Sequence, residues 1–461
     1  MGIVALADFG STYTKVRLVD GGEGRLLARA EAPTSIGTDL MEGYAAALEA
    51  ARASGGVAEP EIEIAASSAG GGLRVAAVGL VEDLTAAAAR QAALNAGARV
   101  GTVVAGTLDD EQLDELRVTR PEIVLFAGGT DGGQAELVLE NARRLASRRI
   151  GGNAVVACNV EVAEEAAQLL RAAGTVTTVA ANVMPELGRL EIEPARKAIL
   201  RVFLEHVIGG KGLSASREFE QMVKMPTPEA VLEATRLLSR GTPSQAGVGD
   251  VAVIDIGGAT TDVHSDRTVD AVTPGVEDPL LPPPATLRTV EGDLGLRAGA
   301  AGAVVVDRRW IEDEGGGGEG AIRQAVLIRT KNPAWIPEGE QAARFDRLLG
   351  VSCATHALTR HCGTMLLSRG EGAVPTLVRS GPDLREVTQV WGTGGVFAHR
   401  DDGHRILEQA LARKPPRSLT PRAPRIRIDG SYIFAAAGLL TAHDPEVAMR
   451  LLRTELQVDK Q

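Results

Sequence analysis

Apolar positions recur with the period of strands in three runs near the start of the chain, residues 2–8, 14–20 and 25–31, and then switch to helical spacing over 40–53. A further strand pattern at 61–66 runs into Ser67, Ser68, Ala69, Gly70, Gly71 and Gly72, a turn that either faces a cleft or serves as a flexible connection. From about 95 to 181 the rhythm changes. Strand runs at 101–105, 122–127, 154–158 and 176–180 alternate with helical patterns at 109–117, 134–147 and 162–173, which predicts a small doubly wound parallel α/β layer. Within it AGGTDGG, residues 127–133, follows a strand and reads best as a plain βα turn. A helix over 194–208, opened by Pro194, is the expected crossover between two halves. A strand pair follows at 251–263. The Pro-rich stretch 267–289 reads as a surface excursion, 312–320 (EDEGGGGEG) as a mobile linker, 414–425 as an exposed Pro/Arg connection, and 431–440 and 445–456 as closing helices. The division predicted is 1–94 for the N-terminal part of a first lobe, 95–181 for an inserted α/β domain, 182–250 for the crossover helix and connection, and 251–461 for a second lobe.

The pattern also repeats. Residues 4–16, VALADFGSTYTKV, recur in form at 251–263 as VAVIDIGGATTDV. Each copy sets an Asp at the end of an apolar strand (Asp8, Asp255), a Gly two residues later (Gly10, Gly257), and small or hydroxyl residues before the next strand: Ser11 and Thr12, then Gly258, Ala259 and Thr260. Such a turn exposes backbone N–H groups and hydroxyls that hold phosphate oxygens, and a strand-end carboxylate holds a hydrated metal ion. Two of them facing each other make a nucleotide cleft. Taken singly, Gly-Gly or Gly-Ser after an apolar run is an ordinary hairpin turn. A matched pair, each with an Asp in an otherwise apolar strand, is costly without a cation or hydrogen bonds. Lys15 reads either as a solvated strand residue or as a phosphate contact; a cation beside Asp8 offsets that acid and neutralises a polyphosphate.

Composition narrows the classes. A chain of 461 residues exceeds one hydrophobic core and predicts two to three domains. The net charge of −11, with basic residues scattered along the chain, argues against a nucleic-acid binder. Three cysteines make no disulfide framework. Cys353, His356, His361 and Cys362 fall in a helical stretch where His361 is turned away from the first two, so packing is the expected role and no metal site beyond nucleotide-linked magnesium is expected. No long apolar span is visible, and the cytoplasm is the default location.

The two hairpins resemble those of actin-like, sugar-kinase-like ATPases. Asp8, Gly10, Ser11 and Lys15 match the D-x-G-S-x-x-x-K spacing, and Asp255, Gly257, Gly258, Thr260 and Asp262 match D-L-G-G-G-T-x-D, with Ala259 departing at the third glycine. VWGTGG, carrying Gly392, Thr393, Gly394 and Gly395, resembles the adenosine-binding turn of that superfamily. The whole chain is similar to the MutL or GlmL family, accessory proteins of adenosylcobalamin-dependent glutamate mutase. The likeness is carried by DFGSTYTKV, APTSIGTDLM, ASSAGGGLR, AGGTDGG, IDIGGATTDVHS, TVEGDLGLR and VWGTGG.

The resemblance implies an α/β, actin-like (ribonuclease H-like) two-lobed fold, and an ATP-driven reactivating factor that opens a mutase and releases damaged cobalamin. ATP and Mg2+ are the implied cofactors and a mutase subunit the implied partner. Asp8 and Asp255 are the implied catalytic and metal residues. Gly10, Ser11, Thr12, Lys15, Gly257, Gly258, Ala259 and Thr260 would hold phosphates, and Gly392, Thr393, Gly394 and Gly395 adenosine. Cobalamin is expected on the partner: the segment Asp262-Val-His264-Ser-Asp-Arg267 lacks the closing Gly of a cobalamin-binding signature, so His264 reads as a strand residue. A small-molecule kinase and a non-enzymatic actin-like scaffold are the alternatives.

Overall fold

The computed structural model describes residues 2–268, 275–279, 281–368, 376–399 and 402–458. The chain opens with an antiparallel meander, β1 (Ile3–Phe9), β2 (Tyr13–Asp20) and β3 (Arg25–Pro33), and passes through α1 (Leu40–Gly55) to β4 (Ile62–Ser67), which pairs parallel with β1. All of β1 after Ile3 is buried, as a strand covered on both faces requires, so it reads as a continuous apolar run. Local chemistry fixes the ends of α1. The Asp39 side chain accepts from Met41 N at its start, and Gly56 closes it in the left-handed conformation.

A second sheet follows, built from β5 (Leu73–Gly79), α2 (Ala87–Asn95), β6 (Ala98–Ala105), α3 (Asp110–Thr119), β7 (Ile123–Phe126), α4 (Glu136–Arg148), β8 (Asn153–Val156), α5 (Ala163–Ala172) and β9 (Val176–Val179). Its order is β6-β5-β7-β8-β9 and every pairing is parallel. This sheet takes in Leu73–Gly79, a segment that the sequence reading left with the first lobe. The return path runs through α6 (Glu193–Val202), α7 (Arg217–Met222) and β10 (Val223–Met225), which joins the first sheet beside β4, to α8 (Thr227–Arg240). Because α6 packs on α2, β7, β8 and β9, the helix expected as the crossover belongs with the parallel layer. The helix that leads into the second half is α8.

The second half contains β11 (Val251–Ile256), β12 (Thr261–Asp266), β13 (Val276–Glu277), β14 (Thr286–Glu291), α9 (Ala300–Ile311), α10 (Glu319–Lys331) and α11 (Glu340–His361). It continues with β15 (Thr364–Ser368), β16 (Thr376–Ser380), β17 (Gln389–Thr393), α12 (Gly395–Ala398), α13 (Gly403–Ala412), β18 (Arg425–Ile428), α14 (Ile433–Thr441) and α15 (Pro445–Glu455). The sheet order β14-β12-β11-β17-β18 repeats β3-β2-β1-β4-β10 of the first half, with the same antiparallel and parallel neighbours. A duplicated sheet of this order, with the parallel layer inserted in its first copy, is the actin-like two-lobed α/β fold.

One expectation needs correction. The stretch read as a surface excursion over 267–289 ends inside the sheet, since β14 begins at Thr286 and buries Leu287 and Arg288; residues 269–274 and 280 of that stretch lie outside the described residues. In the stretch read as a linker, Glu312–Gly316 forms a helical turn with Gly315 at φ 79°, and α10 begins at Glu319.

One apolar core joins the lobes. Val4 and Leu6 of β1, Val251 and Val253 of β11, and Trp391 of β17 pack on α8, α14 and α15. Helices α8 and α14 cross so closely that a Cβ at Gly438 would land on the Ala230 carbonyl, which leaves glycine as the residue that fits there. Cys158, Cys353 and Cys362 are buried free thiols. His361 hydrogen-bonds Ser265 Oγ and Thr289 Oγ1, each at 2.8 Å, while His356 faces Asp307 at 3.4 Å. Among the described residues no helix is long and apolar enough to cross a membrane.

Candidate active site between the lobes

The two hairpins end at a shared cavity of about 450 Å3. In the first, Asp8 pairs across the ladder with Lys15, and Lys15 Nζ lies 2.8 Å from Asp8 Oδ2. The other carboxylate oxygen accepts from Thr227 Oγ1 at 2.6 Å, at the first residue of α8. Gly10 N donates to Tyr13 O at 3.2 Å, which closes the turn and leaves Ser11 and Thr12 on the cavity wall.

In the second hairpin Asp255 pairs with Asp262 across the ladder, and Gly257 N donates to Thr260 O at 2.9 Å. Gly257, Gly258, Ala259 and Thr260 all line the cavity. Leu296 N and Arg297 N donate to the Gly257 and Gly258 carbonyls at 3.1 and 2.7 Å, so the loop after β14 braces this turn from behind. None of residues 257–260 adopts a positive φ, and Ala259 is therefore accommodated without backbone strain.

The third turn follows β17. Gly394 has φ 106°, a region that glycine reaches readily; a Cβ there would strike the Ile256 carbonyl and come within 2.9 Å of Asp255 Oδ1. Thr393, Gly394 and Gly395 line the cavity. Gly392 is not among the lining residues. It sits in β17 opposite Ile254, with the Phe397 ring where its Cβ would be, and supports the turn from beneath.

Charge is concentrated on the cavity floor. Burial pushes the Asp255 carboxyl up to about 7, with Asp262, Asp8 and Asp429 adding to the rise and Lys15 opposing it. Among the described residues no hydrogen bond is a leading contributor to that balance. An acid that receives no hydrogen bond from the described residues, beside three other acids and one lysine, fits a divalent cation or a cation-bound phosphate.

Further side chains reach the cavity beyond the residues assigned to it from sequence: Asp262, Ser68 and Arg297 from the segments that carry the resemblance, and Glu31, Thr227, Trp335, Asp346, His399 and Tyr432 from elements that carry no motif. Tyr432 adopts φ 54°, unusual for a non-glycine, and its ring covers Lys15 Nζ at 4.7 Å and the Arg17 guanidinium at 5.3 Å. Arg297 is tied to Asp346 at 3.2 Å. Two contacts cross the cleft mouth: His399 Nε2 meets Glu31 Oε1 at 3.0 Å, and Tyr13 Oη donates to Ala334 O at 3.1 Å. His264 lies fully buried inside β12, where burial lowers its basicity well below the usual imidazole range.

Comparison with solved structures finds distant similarities that extend along nearly the whole chain. Nucleotide-free acetone carboxylase shares 14% identity at a TM-score of 0.40, covering 95% of this chain and 70% of that one. A glycerol dehydratase reactivase shares 13% identity at a TM-score of 0.37, covering 96% and 99%. The activator of 2-hydroxyisocaproyl-CoA dehydratase from Clostridium difficile, with bound ADPNP, shares 11% identity at 0.34, covering 100% and 98%. In sequence the similarity is much stronger. Protein MutL of Clostridium tetanomorphum is 37% identical over 465 residues, 99% of each chain. The family described as MutL protein matches residues 4–456, and with that span and that identity the chain belongs to the MutL protein family.

Proposed function

We propose that this chain is an ATP-dependent accessory protein that reactivates an adenosylcobalamin-dependent mutase, glutamate mutase or a related aminomutase, by driving the release of damaged cobalamin. The observation that supports the nucleotide half is the convergence on one cavity of both hairpin turns, the Gly394–Gly395 turn and the Asp8–Lys15 pair. Ser11, Thr12 and Lys15 grip phosphates from the first lobe, and Gly257, Gly258, Ala259 and Thr260 from the second. Thr393, Gly394 and Gly395 receive adenosine, with Gly392 behind them. Asp8 and Asp255 are the residues that would hold a hydrated magnesium ion or orient the attacking water. Bound magnesium would supply charge neutralisation at the phosphates. The mutase half rests on membership of the MutL family, whose resemblance implies a mutase partner in the cytoplasm, with cobalamin held by that partner.

The inserted parallel layer is the proposed partner contact. Excising it is a poor test, because residues of β5, α2, β7 and β8 share one apolar core with β1, β2 and α1; charge reversal on its outer helices leaves that core intact. The decisive experiment is recovery of a turnover-inactivated mutase by this protein with ATP, magnesium and fresh adenosylcobalamin. Recovery should fail when ATP is omitted or replaced by a non-hydrolysable analogue. Equal recovery with fresh cofactor alone would overturn the reactivase reading.

One observation favours a second reading. A carboxyl pushed up to about 7 at Asp255 has the basicity of a general base, which a small-molecule kinase needs. ATP turnover stimulated by a metabolite in the absence of any mutase would establish that alternative.

A further inference from the structure

Arg288 of β14 is 1% exposed and stands behind the cleft wall while holding a residue that forms it. Its Nε and Nη2 donate to Asp262 Oδ1 at 2.9 and 2.5 Å, and Asp262 lines the cavity. In the other direction its Nη1 donates to Leu94 O at 2.8 Å and Ala98 O at 2.7 Å, at the end of α2 and the start of β6. Asn95 completes the joint: its Oδ1 accepts from Arg288 N, and its Nδ2 donates to Thr286 O, both at 3.0 Å. The last carbonyls of a helix lack intrahelical donors and carry the negative end of its dipole, so a guanidinium suits them. One buried cation thus divides its hydrogen bonds between an acid facing the cleft and a helix end of the inserted layer.

The same layer is attached to the first lobe differently. The chain leaves β4 through Gly70, Gly71 and Gly72, with φ of 66°, 86° and 69°. Three successive residues in this region form a connection with little steric resistance to rotation. Lys211 Nζ steadies it, donating to Gly72 O at 2.6 Å and pairing with Glu122 at 2.9 Å. The inserted layer therefore meets the first lobe through a shared apolar core and the glycine connection, and the second lobe through the Arg288 joint.

We propose that Arg288 is a positioning residue that transmits the occupancy of the cleft to the inserted layer. This rests on the nucleotide reading of the cleft and adds its regulation. Asp262 Oδ2 accepts from Thr260 Oγ1 at 3.3 Å, and Asp262 faces Asp255 across the ladder. A polyphosphate with its cation at this turn draws the Thr260 hydroxyl and the Asp262 charge toward the cleft. The guanidinium then depends more on the Leu94 and Ala98 carbonyls, and α2 tightens against β14. Loss of the occupant reverses the balance.

The test is hydrogen exchange on the full chain with and without magnesium and a non-hydrolysable ATP analogue, read at amides 94–100 and paired with calorimetric titration of the same nucleotide. Nucleotide should slow exchange at these amides about tenfold, a coupling of ordinary size. Arg288→Lys keeps the charge but has one nitrogen, which cannot bridge both partners. It should bind nucleotide within about threefold of the wild type and lose the slowing. Asn95→Ala, which leaves the guanidinium in place, should diminish it and serves if the first variant does not fold. Slowing that persists undiminished in the folded variants overturns the proposal. Wild-type binding with no change at 94–100 overturns the coupling alone, whereas no binding at all overturns the nucleotide reading with it.

Discussion

Replacing Asp255 by Asn should stabilise the nucleotide-free protein and at the same time abolish magnesium-dependent ATP turnover. The folded carboxyl holds its proton up to about 7, chiefly because of burial and then because of Asp262, against an ordinary value of 3.8. Between those values the folded state binds more protons than the unfolded chain, so stability falls as pH rises from 3.8 through about 7 and levels off above. At about 1.4 kcal/mol per pH unit the full span is worth about 4 kcal/mol. Partial opening of Asp255 to the cavity and its coupling to Asp262 reduce this to about 2–4 kcal/mol. The neutral amide escapes that loss.

Urea unfolding in EDTA at pH 5.0 and pH 8.5, for wild type and Asp255→Asn, measures the difference. The stability gained by the variant should be larger at pH 8.5 by about 2 kcal/mol, because at pH 5.0 the native acid is already protonated. Magnesium with ATP should then raise the melting temperature of the wild type well above its own baseline and leave the variant nearly unmoved. A gain that is the same at both pH values, or a loss at both, would refute the electrostatic account of this residue.

Two other substitutions test the geometry. Gly394→Ala places a methyl on the Ile256 carbonyl and beside Asp255 Oδ1; ATP affinity should fall at least about tenfold, or about 1.4 kcal/mol, with the far-ultraviolet circular dichroism unchanged. An unaltered Kd would remove this turn from the site. Gly438→Val forces α8 and α14 apart at Ala230 and should cost about 3 kcal/mol in urea unfolding; an unaffected midpoint would contradict the close helix crossing between the lobes.

Elements with a clean period were legible in the sequence. The run read at 25–31 is β3 at Arg25–Pro33, and that at 445–456 is α15 at Pro445–Glu455. Connectivity was much less so. LRVAAVG of β5 leaves a triple-glycine turn and leads by way of Ala86 into the Ala-rich α2, and alanine suits a packed strand face and a helix alike. Its place inside the parallel sheet, between β6 and β7, depends on pairing with both. β14 was concealed for another reason. Thr286, Arg288 and Thr289 look like surface residues, and Arg288 becomes a core side chain only because Asp262 and the carbonyls of Leu94 and Ala98 receive its donors. A local pattern cannot show a desolvation cost that is offset by partners about 190 residues away.

The candidate site shows the same division. The hairpin echo located the backbone turns, because the turn residues carry their own chemistry. Thr227, Tyr432, Glu31 and His399 arrive from elements with no such signature, so their presence is a property of the fold. Arg297 lay inside the TVEGDLGLR segment, yet spacing assigned it no role; the structure ties it to Asp346 beside the second turn. Ala259 is instructive about what the glycines at that turn do. With no positive φ at 257–260, a glycine at 259 is not demanded by the backbone. Room is needed instead in the bracing loop, where a Cβ at Gly295 would come within 2.6 Å of the Ala259 carbonyl carbon and one at Gly299 would meet the Ala259 oxygen. The steric requirement at this turn therefore falls on Gly295 and Gly299, and substitution there should disturb the geometry of the turn more than the alanine already present at 259.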